Sequence, residues 1–427
     1  MDVTAPEKQD RPRGGNWSRR GVLSGLLGAP VLLVAACSGG GGKSGAAGAS
    51  GSAPAGGGAV TESPSTSPKA SVAQITVKPA DGATAAPFTE PVTVTVLDGT
   101  LTSVTVTDGA GRAIAGQLAA DGASWTSTAK LSSGSTYTVA AAAVDKDQRP
   151  ADANASFSTA SPANTFVGYF TPEDGSTVGV GMPVSINFNK SITDRKAVQQ
   201  AITVVADPPV EIVGHWFDST RLDFRPQEYW AKGTKVTLKL RLKDVAGARG
   251  VYGTQSKDVT FTVGRSQVST ADLKADTLTV RTDGQVTATY PVIGGAPEHR
   301  TWGGKLVISE KYQQTRMNSS TVGLGSEYDI PDVPHAQRLT TSGTFIHGNY
   351  WSPASQFGND NTSHGCIALQ DVQGGNDPST DAAAFYASSM IGDVVEVVNS
   401  GDRTVNPGNG LNGWNMAWAD WVAGSAV

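Results

Sequence analysis

Alternating hydrophobic and polar residues dominate the chain from about residue 72 onward and predict short β-strands. The segment Val92-Thr93-Val94-Thr95-Val96 is typical, because alternation places the Val side chains on one face of a strand and the Thr side chains on the other. Asp-Gly and Gly-Ser pairs, which favour tight turns, separate such segments. The pattern therefore predicts a mainly β protein.

One pattern of strands and turns occurs twice. Residues 79–84 (PADGAT) recur as residues 172–177 (PEDGST), and residues 134–139 (GSTYTV) recur as residues 233–238 (GTKVTL). Several short strands within each copy favour an immunoglobulin-like β-sandwich. We predict two tandem immunoglobulin-like modules, module 1 at residues 72–160 and module 2 at residues 161–265. Another small all-β module is the alternative.

A different pattern begins near residue 266 and predicts a third domain at residues 266–399. Its first strands flank the turn Asp283-Gly284 and form a hairpin. The predicted strands are residues 278–281, 286–290, 305–308, 343–346 and 394–398. One helix is predicted, capped by Asp377, with Pro378 in its first turn, and extending to Met390. This third domain is therefore β-rich with one or two helices.

The last predicted segment is a C-terminal tail at residues 400–427. It contains Trp414, Trp418 and Trp421, whose spacing places the three rings on one face of a helix. Large aromatic side chains on one face are more often packing residues than a ligand platform. We therefore expect the tail to dock on the body of the protein, packed on the third domain.

The N-terminal residues have the features of an export signal. Arg19 and Arg20 precede an uncharged stretch at residues 21–36 that ends in small residues before Cys37. Residues 34–37 (VAAC) resemble the lipobox of bacterial lipoproteins, and residues 18–23 (SRRGVL) resemble a twin-arginine signal. We predict a signal peptide at residues 1–36 and a lipid anchor at Cys37. An uncleaved membrane anchor with an incidental cysteine is the alternative.

Residues 37–71 contain almost exclusively Gly, Ser, Ala, Pro and Thr and are predicted to be a flexible tether. The expected location is then the outer face of the cell membrane, with the folded part in the cell wall. The formal net charge is −5, and the chain has no run of Lys and Arg. This composition argues against a nucleic acid partner.

The candidate chemistry lies around Cys366. If Cys37 is acylated, Cys366 is a free thiol in an exported protein, and a free thiol there requires an explanation. His347 and His364 are candidate bases for activating the thiol, since a nucleophilic Cys needs a histidine within reach. In an extended segment, His364 and Cys366 would lie on one face. Gly365 allows backbone N–H groups to approach a substrate carbonyl, as an oxyanion hole requires.

Three interpretations of these residues remain open at this point. The first is a Cys/His acyl-transfer site, which accounts for the thiol, both histidines and the glycine. The second is a zinc site made of His347, His364 and Cys366, although no paired Cys or His-Glu signature supports it. The third is a buried structural Cys surrounded by core histidines.

The order His347-Gly348 and then Ser363-His364-Gly365-Cys366 resembles the signature of the YkuD-family L,D-transpeptidases. The whole exported part resembles the actinobacterial, mycobacterial-type lipoprotein members, with two immunoglobulin-like modules, a catalytic domain and a Trp-rich tail. The resemblance implies an enzyme that cross-links peptidoglycan without a metal or cofactor. Its partners would be a tetrapeptide stem as acyl donor and a diaminopimelate amine as acceptor. It also implies sensitivity to carbapenems, as covalent inhibitors of the cysteine.

The resemblance assigns roles to individual residues. Cys366 would be the nucleophile that forms a thioester, and His347 would be the base. The backbone carbonyl of Gly348 would be the third member of the catalytic set. The family pattern also covers residues that shape the site or bind substrate: His364, Gly365, Ser363, Met317, Tyr328 and Trp351. The alternative for Met317, Tyr328 and Trp351 is that they are packing residues.

One position departs from the family pattern. The signature usually has Asn two residues after the Cys, and this chain has Ala368. We expect reduced activity, or compensation by Asn361 or Gln370. Transfer of the acyl group to water, which would make an L,D-carboxypeptidase, and a non-catalytic wall-binding lipoprotein remain as alternative functions.

Overall fold

The computed structural model describes residues 69–427. The predicted signal peptide, Cys37 and nearly all of the predicted tether lie outside the described residues. The described residues form mainly β-strands, which agrees with the expected fold class. Within this range, the helices are all too short or too polar to cross a membrane.

Module 1 consists of two antiparallel sheets packed face to face. Its strands are β1 (Gln74–Lys78), β2 (Thr93–Leu97), β3 (Gly99–Asp108), β4 (Gly116–Leu118), β5 (Ser124–Ser127), β6 (Thr136–Asp145) and β7 (Pro150–Ser158). One sheet has the order β1-β2-β5-β4 and the other has the order β3-β6-β7. Because side chains alternate along each strand, Val94, Trp125 and Tyr137 point inward and form part of the core of this module.

Module 2 has the same two-sheet plan with additional elements. The elements of module 2 are β8 (Asn164–Phe166), β9 (Gly168–Thr171), β10 (Thr177–Val178), β11 (Val184–Phe188), α1 (Arg195–Gln200), β12 (Ile202–Asp207), β13 (Val213–Trp216), β14 (Arg221–Arg225), β15 (Lys235–Arg241), β16 (Ala246–Ala248), β17 (Val251–Gly253) and β18 (Ser256–Val263). The sheets have the orders β10-β18-β15-β12, β13-β14-β11-β9 and β16-β17-β8.

The repeated sequence forms the same turn in both modules. Gly82 and Gly175 each have φ of +74°, a value that glycine adopts without strain. The preceding aspartates also act alike, because Asp81 accepts a hydrogen bond from the Ser156 N–H and Asp174 accepts one from the Thr260 N–H. The two copies therefore share a structural feature as well as a sequence.

The third domain contains two sheets around a common core. Its elements, continuing into the tail, are β19 (Gln267–Asp272), β20 (Thr277–Thr282), β21 (Gln285–Pro291), β22 (Gly304–Val307), β23 (Glu310–Asn318), β24 (Asp329–Arg338), β25 (Phe345–Asn349), β26 (Ile367–Gln370), α2 (Asp381–Ser388), β27 (Val394–Val398) and α3 (Trp418–Ala423). One sheet has the order β21-β20-β19-β27-β22, and the other has the order β23-β24-β25-β26. The buried side chains of Leu278, Ile346 and Phe385 belong to the core between these sheets.

Three predicted boundaries, in two elements, were wrong. Helix α2 begins at Asp381 because Thr380 caps it by accepting a hydrogen bond from the Ala383 N–H, whereas the Asp377 carboxylate closes a separate turn with Ser379. The helix ends at Ser388, before the predicted Met390. The strand predicted at residues 343–346 begins at Phe345, because Gly343 belongs to a turn and has φ of +103°.

The tryptophans of the tail do not share one helix. Met416 and Ala417 have extended backbone, so Trp414 lies in a separate short turn before α3. The rings nevertheless meet at one point, because the Arg225 guanidinium lies 4.8 Å from the Trp414 ring centroid, 5.3 Å from that of Trp418 and 4.3 Å from that of Trp421. The tail therefore contacts β14 of module 2, and it also contacts the third domain, on which it was expected to pack, where the Val307 N–H donates to Asn412 Oδ1.

Candidate active site

The site is built at the junction of two parallel strands. In the register of β25 and β26, His347 lies opposite Ala368, and Cys366 immediately precedes β26. His347 and Cys366 both line a cavity of about 270 Å³. Six other residues singled out in the sequence also line this cavity: Met317, Tyr328, Trp351, Ser363, His364 and Ala368. The tertiary structure thus brings the residues of the motif together.

The His347 side chain is held as a specific tautomer. Its Nδ1 lies 2.9 Å from the Gly348 carbonyl oxygen, and because a carbonyl can only accept, Nδ1 carries the proton. Nε2 then has a free lone pair. Burial lowers the pKa of His347, although the hydrogen bond to Gly348 and the charge of Asp371 oppose this. His347 is therefore a neutral base at neutral pH.

The Cys366 thiol is protonated at rest. Burial raises the pKa of Cys366 to about 11, in spite of the opposing effects of the Phe345 backbone and the Arg338 charge. Its Sγ lies 3.7 Å from the Gly343 carbonyl oxygen, to which the thiol donates. A thiol with this pKa becomes nucleophilic only if its proton is removed during attack. The site therefore pairs a neutral thiol with a neutral imidazole.

Gly348 fits its position because a larger residue would collide with Asp371. A Cβ at Gly348 would lie 2.0 Å from Asp371 Oδ2. That same oxygen lies 2.7 Å from His335 Nδ1, and Oδ1 accepts a hydrogen bond from Thr380. The buried Asp371 carboxylate therefore occupies the space behind the Gly348 carbonyl that orients His347.

The segment before Cys366 is a turn and not the extended segment considered from the sequence. Gly365 has φ of +107°, which favours glycine, and its N–H donates to Ser363 Oγ at 3.2 Å. The Ser363 hydroxyl donates to the Cys366 carbonyl at 2.6 Å. Ser363 thus fixes the turn on both sides, while His364 and Cys366 still reach the same cavity.

Aromatic side chains form opposite walls of the cavity. Trp351 stacks on His347 with ring centroids 5.8 Å apart, and the Tyr328 ring lies 5.0 Å from that of His364. Burial raises the pKa of Tyr328 to about 12, and the charges of Cys366 and Glu327 add to this effect. Tyr328 therefore keeps its proton and can donate a hydrogen bond into the cavity.

Asn361 does not compensate for Ala368 in the way that the sequence suggested, because the two side chains have different partners. The buried Ala368 methyl packs with Ile293 and Phe357 in a small apolar cluster. Asn361 donates to the Leu273 carbonyl and the Asp276 carboxylate, and it accepts from the Gly294 N–H. All its polar atoms are engaged with the protein, so Asn361 joins three segments behind the cavity wall.

Sequence reasoning missed other cavity residues: Ile293, Ile330, Asn349, Ser352 and Thr362. Asn349 shapes the wall that carries Trp351, because its Oδ1 accepts hydrogen bonds from the Trp351 and Ser352 N–H groups. Asn349 lies two residues after His347, and this proximity was a usable signal. The apolar Ile293 and Ile330 come from distant segments, and nothing in their local sequence separates them from core residues.

Comparison with known families gives two matches. The family described as bacterial Ig domain matches residues 83–246, and the L,D-transpeptidase catalytic domain matches residues 266–397. The first match spans much of both modules, and the second contains every cavity residue.

Comparison with individual proteins gives matches over most of the chain. L,D-transpeptidase 2 of Mycobacterium tuberculosis is 35% identical over 360 residues, which are 83% of this chain and 85% of that protein. L,D-transpeptidase 5 of the same species is 33% identical over 361 residues, which are 83% of this chain and 77% of that protein. A solved structure of an LD transpeptidase in complex with imipenem covers 56% of this chain and 100% of its own, with 29% identity and a TM-score of 0.46.

Proposed function

The chain belongs to the L,D-transpeptidase family, and from that premise we propose that it forms 3–3 cross-links between peptidoglycan stem peptides through a thioester on Cys366. The observation that carries this proposal is the shared cavity of Cys366 and His347, with His347 Nδ1 held 2.9 Å from the Gly348 carbonyl oxygen. This contact leaves Nε2 as the proton acceptor.

In the first half-reaction, Cys366 Sγ attacks the carbonyl carbon at the L-centre of diaminopimelate in the donor tetrapeptide. His347 Nε2 takes the thiol proton as the S–C bond forms, so the imidazole becomes an imidazolium. The C–N bond to the terminal D-Ala then breaks, and the imidazolium gives its proton to the leaving amine. The products are a thioester on Cys366 and free D-Ala.

In the second half-reaction, the side-chain amine of diaminopimelate in a neighbouring stem attacks the thioester. His347 Nε2 removes a proton from this amine, the S–C bond breaks, and the proton returns to the Cys366 sulfur. Each half-reaction passes through an oxyanion. The Cys366 N–H and the Tyr328 hydroxyl are the donors that we assign to it, because both border the cavity and Tyr328 stays protonated.

We further propose that Cys37 is acylated and holds the protein at the outer face of the membrane. The lipobox-like residues 34–37 and the preceding apolar stretch support this location. The tether at residues 37–71 would then span roughly 30 Å as a flexible coil. Such a tether would let the modules and the third domain act within the wall.

The decisive experiment is mass spectrometry of the full chain incubated with a disaccharide tetrapeptide. We expect loss of D-Ala with a dimeric product from the wild type and neither product from Cys366→Ala. Cys37→Ala is the matched control, because it removes the other cysteine of the chain, and it should release D-Ala and form the dimer as the wild type does.

The remaining outcomes separate the alternatives. Loss of D-Ala without a dimer would indicate that water is the acceptor and that the protein is an L,D-carboxypeptidase. An untouched tetrapeptide and an unmodified Cys366 would contradict the proposal and favour a non-catalytic wall-binding role, with Ala368 as its cause.

A carbapenem provides a second test that needs no acceptor. Sγ would open the β-lactam by forming an S–C bond to its carbonyl while the ring C–N bond breaks and the thiol proton passes to the ring nitrogen. We expect the mass of one carbapenem on the peptide that contains Cys366. The same incubation of Cys366→Ala should leave the mass unchanged.

A further inference from the structure

A hairpin tip borders the cavity. It consists of residues 319–328, between β23 and β24, and its last residue, Tyr328, lines the cavity. Glu327 is the neighbour of Tyr328 on this tip, and it faces two histidines. His299 comes from the loop before β22, and His364 comes from the turn before Cys366. Three separate segments thus meet at Glu327.

Two distances in this group, those from Glu327 to each histidine, match those between ligands of a tetrahedral metal ion. Glu327 Oε2 lies 3.3 Å from His299 Nε2 and 3.2 Å from His364 Nε2. Zinc bonds of about 2.0–2.2 Å in a tetrahedral arrangement place neighbouring ligand atoms roughly 3.3–3.5 Å apart. A charge-assisted N–H···O bond is usually shorter, about 2.7–2.9 Å. The spacing therefore fits a shared ion better than two direct hydrogen bonds.

The type and position of the ligand atoms also suit an ion. The ligand atoms of the three residues all lie within 4.8 Å of one another. Two imidazoles and one carboxylate are a donor set that Zn²⁺ prefers, and three protein ligands leave a fourth position for water. The side chains are 26%, 42% and 38% exposed for His299, Glu327 and His364, so an ion can enter from solvent.

We propose that His299, Glu327 and His364 bind one Zn²⁺ ion, which ties the hairpin tip to the turn that carries Cys366 and restricts entry to the cavity. This site shares only His364 with the zinc site considered from sequence and leaves Cys366 and His347 free. Ion binding stands independently of the proposed reaction. The regulation of turnover by the ion rests on the proposed function.

The first test is calorimetric titration of the full chain with Zn²⁺, with Mg²⁺ as the comparison ion. We expect one bound Zn²⁺ per chain and no Mg²⁺ binding at the same site, since nitrogen ligands disfavour Mg²⁺. His299→Ala and Glu327→Gln should each weaken Zn²⁺ binding at least tenfold. Glu298→Gln, which changes an exposed neighbouring carboxylate, and Cys366→Ala should leave the affinity unchanged.

Two results would overturn the site. If Cys366→Ala abolished binding and His299→Ala did not, the thiol would hold the ion. If Glu298→Gln and Glu327→Gln weakened Zn²⁺ binding equally, the ion would be attracted by the overall negative charge of this surface and Glu327 would not be a specific ligand. Unfolding midpoints of the four variants without Zn²⁺ should match that of the wild type, so a folding defect would be visible.

The second test measures access to the thiol without requiring any transpeptidase activity. Alkylation of Cys366 by iodoacetamide, followed on the Cys366 peptide by mass spectrometry, should slow at least fivefold when Zn²⁺ is present. The same Zn²⁺ concentration should have no effect on Glu327→Gln. Equal protection in the wild type and Glu327→Gln would contradict closure by the hairpin tip, whether or not the protein proves to be a transpeptidase.

Discussion

Modules 1 and 2 share a repeated sequence pattern, but among the described residues it is module 2 that hydrogen-bonds to the third domain. In module 2, the Gly179 and Gly181 N–H groups donate to the Ile391 and Gly392 carbonyls, both at 2.8 Å. The Trp414 indole of the tail donates back to the Gly181 carbonyl at 2.6 Å. Module 2, the third domain and the tail are therefore joined by hydrogen bonds.

Module 1 is attached through a smaller set of contacts, and these run to module 2. The Phe88 and Tyr252 rings meet edge to face with centroids 4.9 Å apart, and the Ser133 N–H donates to the Asp244 carboxylate at 3.1 Å. The comparison teaches that a repeated fold does not imply a repeated role. We infer that module 2 supports the active domain and that module 1 acts as a spacer.

The largest effect is expected from Arg225→Ala in module 2. The Arg225 guanidinium donates to the Gly413 and Met416 carbonyls of the tail and lies beneath three tryptophan rings. Losing these contacts should lower the free energy of unfolding by about 3 kcal/mol and abolish most turnover. Denaturant unfolding and the cross-linking assay check this.

Arg241→Ala is the matched control for Arg225→Ala. The Arg241 side chain is 51% exposed and pairs with Asp258 on the surface of the same module. Exposed pairs contribute about 0–1 kcal/mol, so stability and turnover should stay near the wild-type values. If the two substitutions had equal effects, the contact between Arg225 and the tail would have no special role in stability or turnover.

The next effect is expected from Gly179→Ala at the boundary between module 2 and the third domain. A Cβ there would lie 2.2 Å from the Asp393 backbone nitrogen. The backbones must separate, and overpacking of this kind costs about 1–3 kcal/mol. We expect a lower thermal midpoint and reduced turnover. Gly109→Ala in module 1, where the nearest atom is 3.8 Å away, should show neither change.

Tyr252→Ala should have a smaller effect, at the boundary between the two modules. It removes the ring contact with Phe88, which is worth about 0.5–1.5 kcal/mol. Small-angle scattering should show a broader range of module orientations, while turnover should remain within twofold of the wild type. A large loss of turnover would contradict the spacer role of module 1.

Asp145→Asn should leave turnover unchanged and lower the stability of module 1 at neutral pH but not in acid. Burial raises the pKa of Asp145, but hydrogen bonds from the Arg149, Val72 and Asp147 N–H groups outweigh this and lower the pKa to about 2. Because the folded pKa is below the ordinary value of 3.8, the stabilisation is complete above about pH 4 and is lost as the pH falls toward 2.

The measurement for Asp145 is thermal unfolding of the full chain at several pH values. The midpoint of Asp145→Asn should be below that of the wild type at neutral pH, and the difference should vanish near pH 2. Asp152→Asn, an exposed aspartate of the same module, should match the wild type throughout. A difference that persisted at low pH would exclude the carboxylate as its cause.

Much of the candidate site could be predicted because its chemistry is local in sequence. Cys366 and His347 were recognised from their residue types and neighbours, and the structure places both in one cavity. The helix start at Asp381 could not be predicted with the same certainty, because Asp377 and Thr380 are both good capping residues. The helix start depends on whether the Asp377 carboxylate or the Thr380 hydroxyl accepts a hydrogen bond from the first N–H groups of the helix after folding.

The sequence by itself indicated the mainly β fold, a third domain that begins near residue 266, and Cys366 and His347 as the candidate thiol and base. These features depend on alternation, turn residues and short motifs, which act over a few residues. The tertiary structure alone decided that module 2 and not module 1 joins the third domain. It also decided that His299, Glu327 and His364 meet, because contacts between distant segments depend on how whole sheets pack.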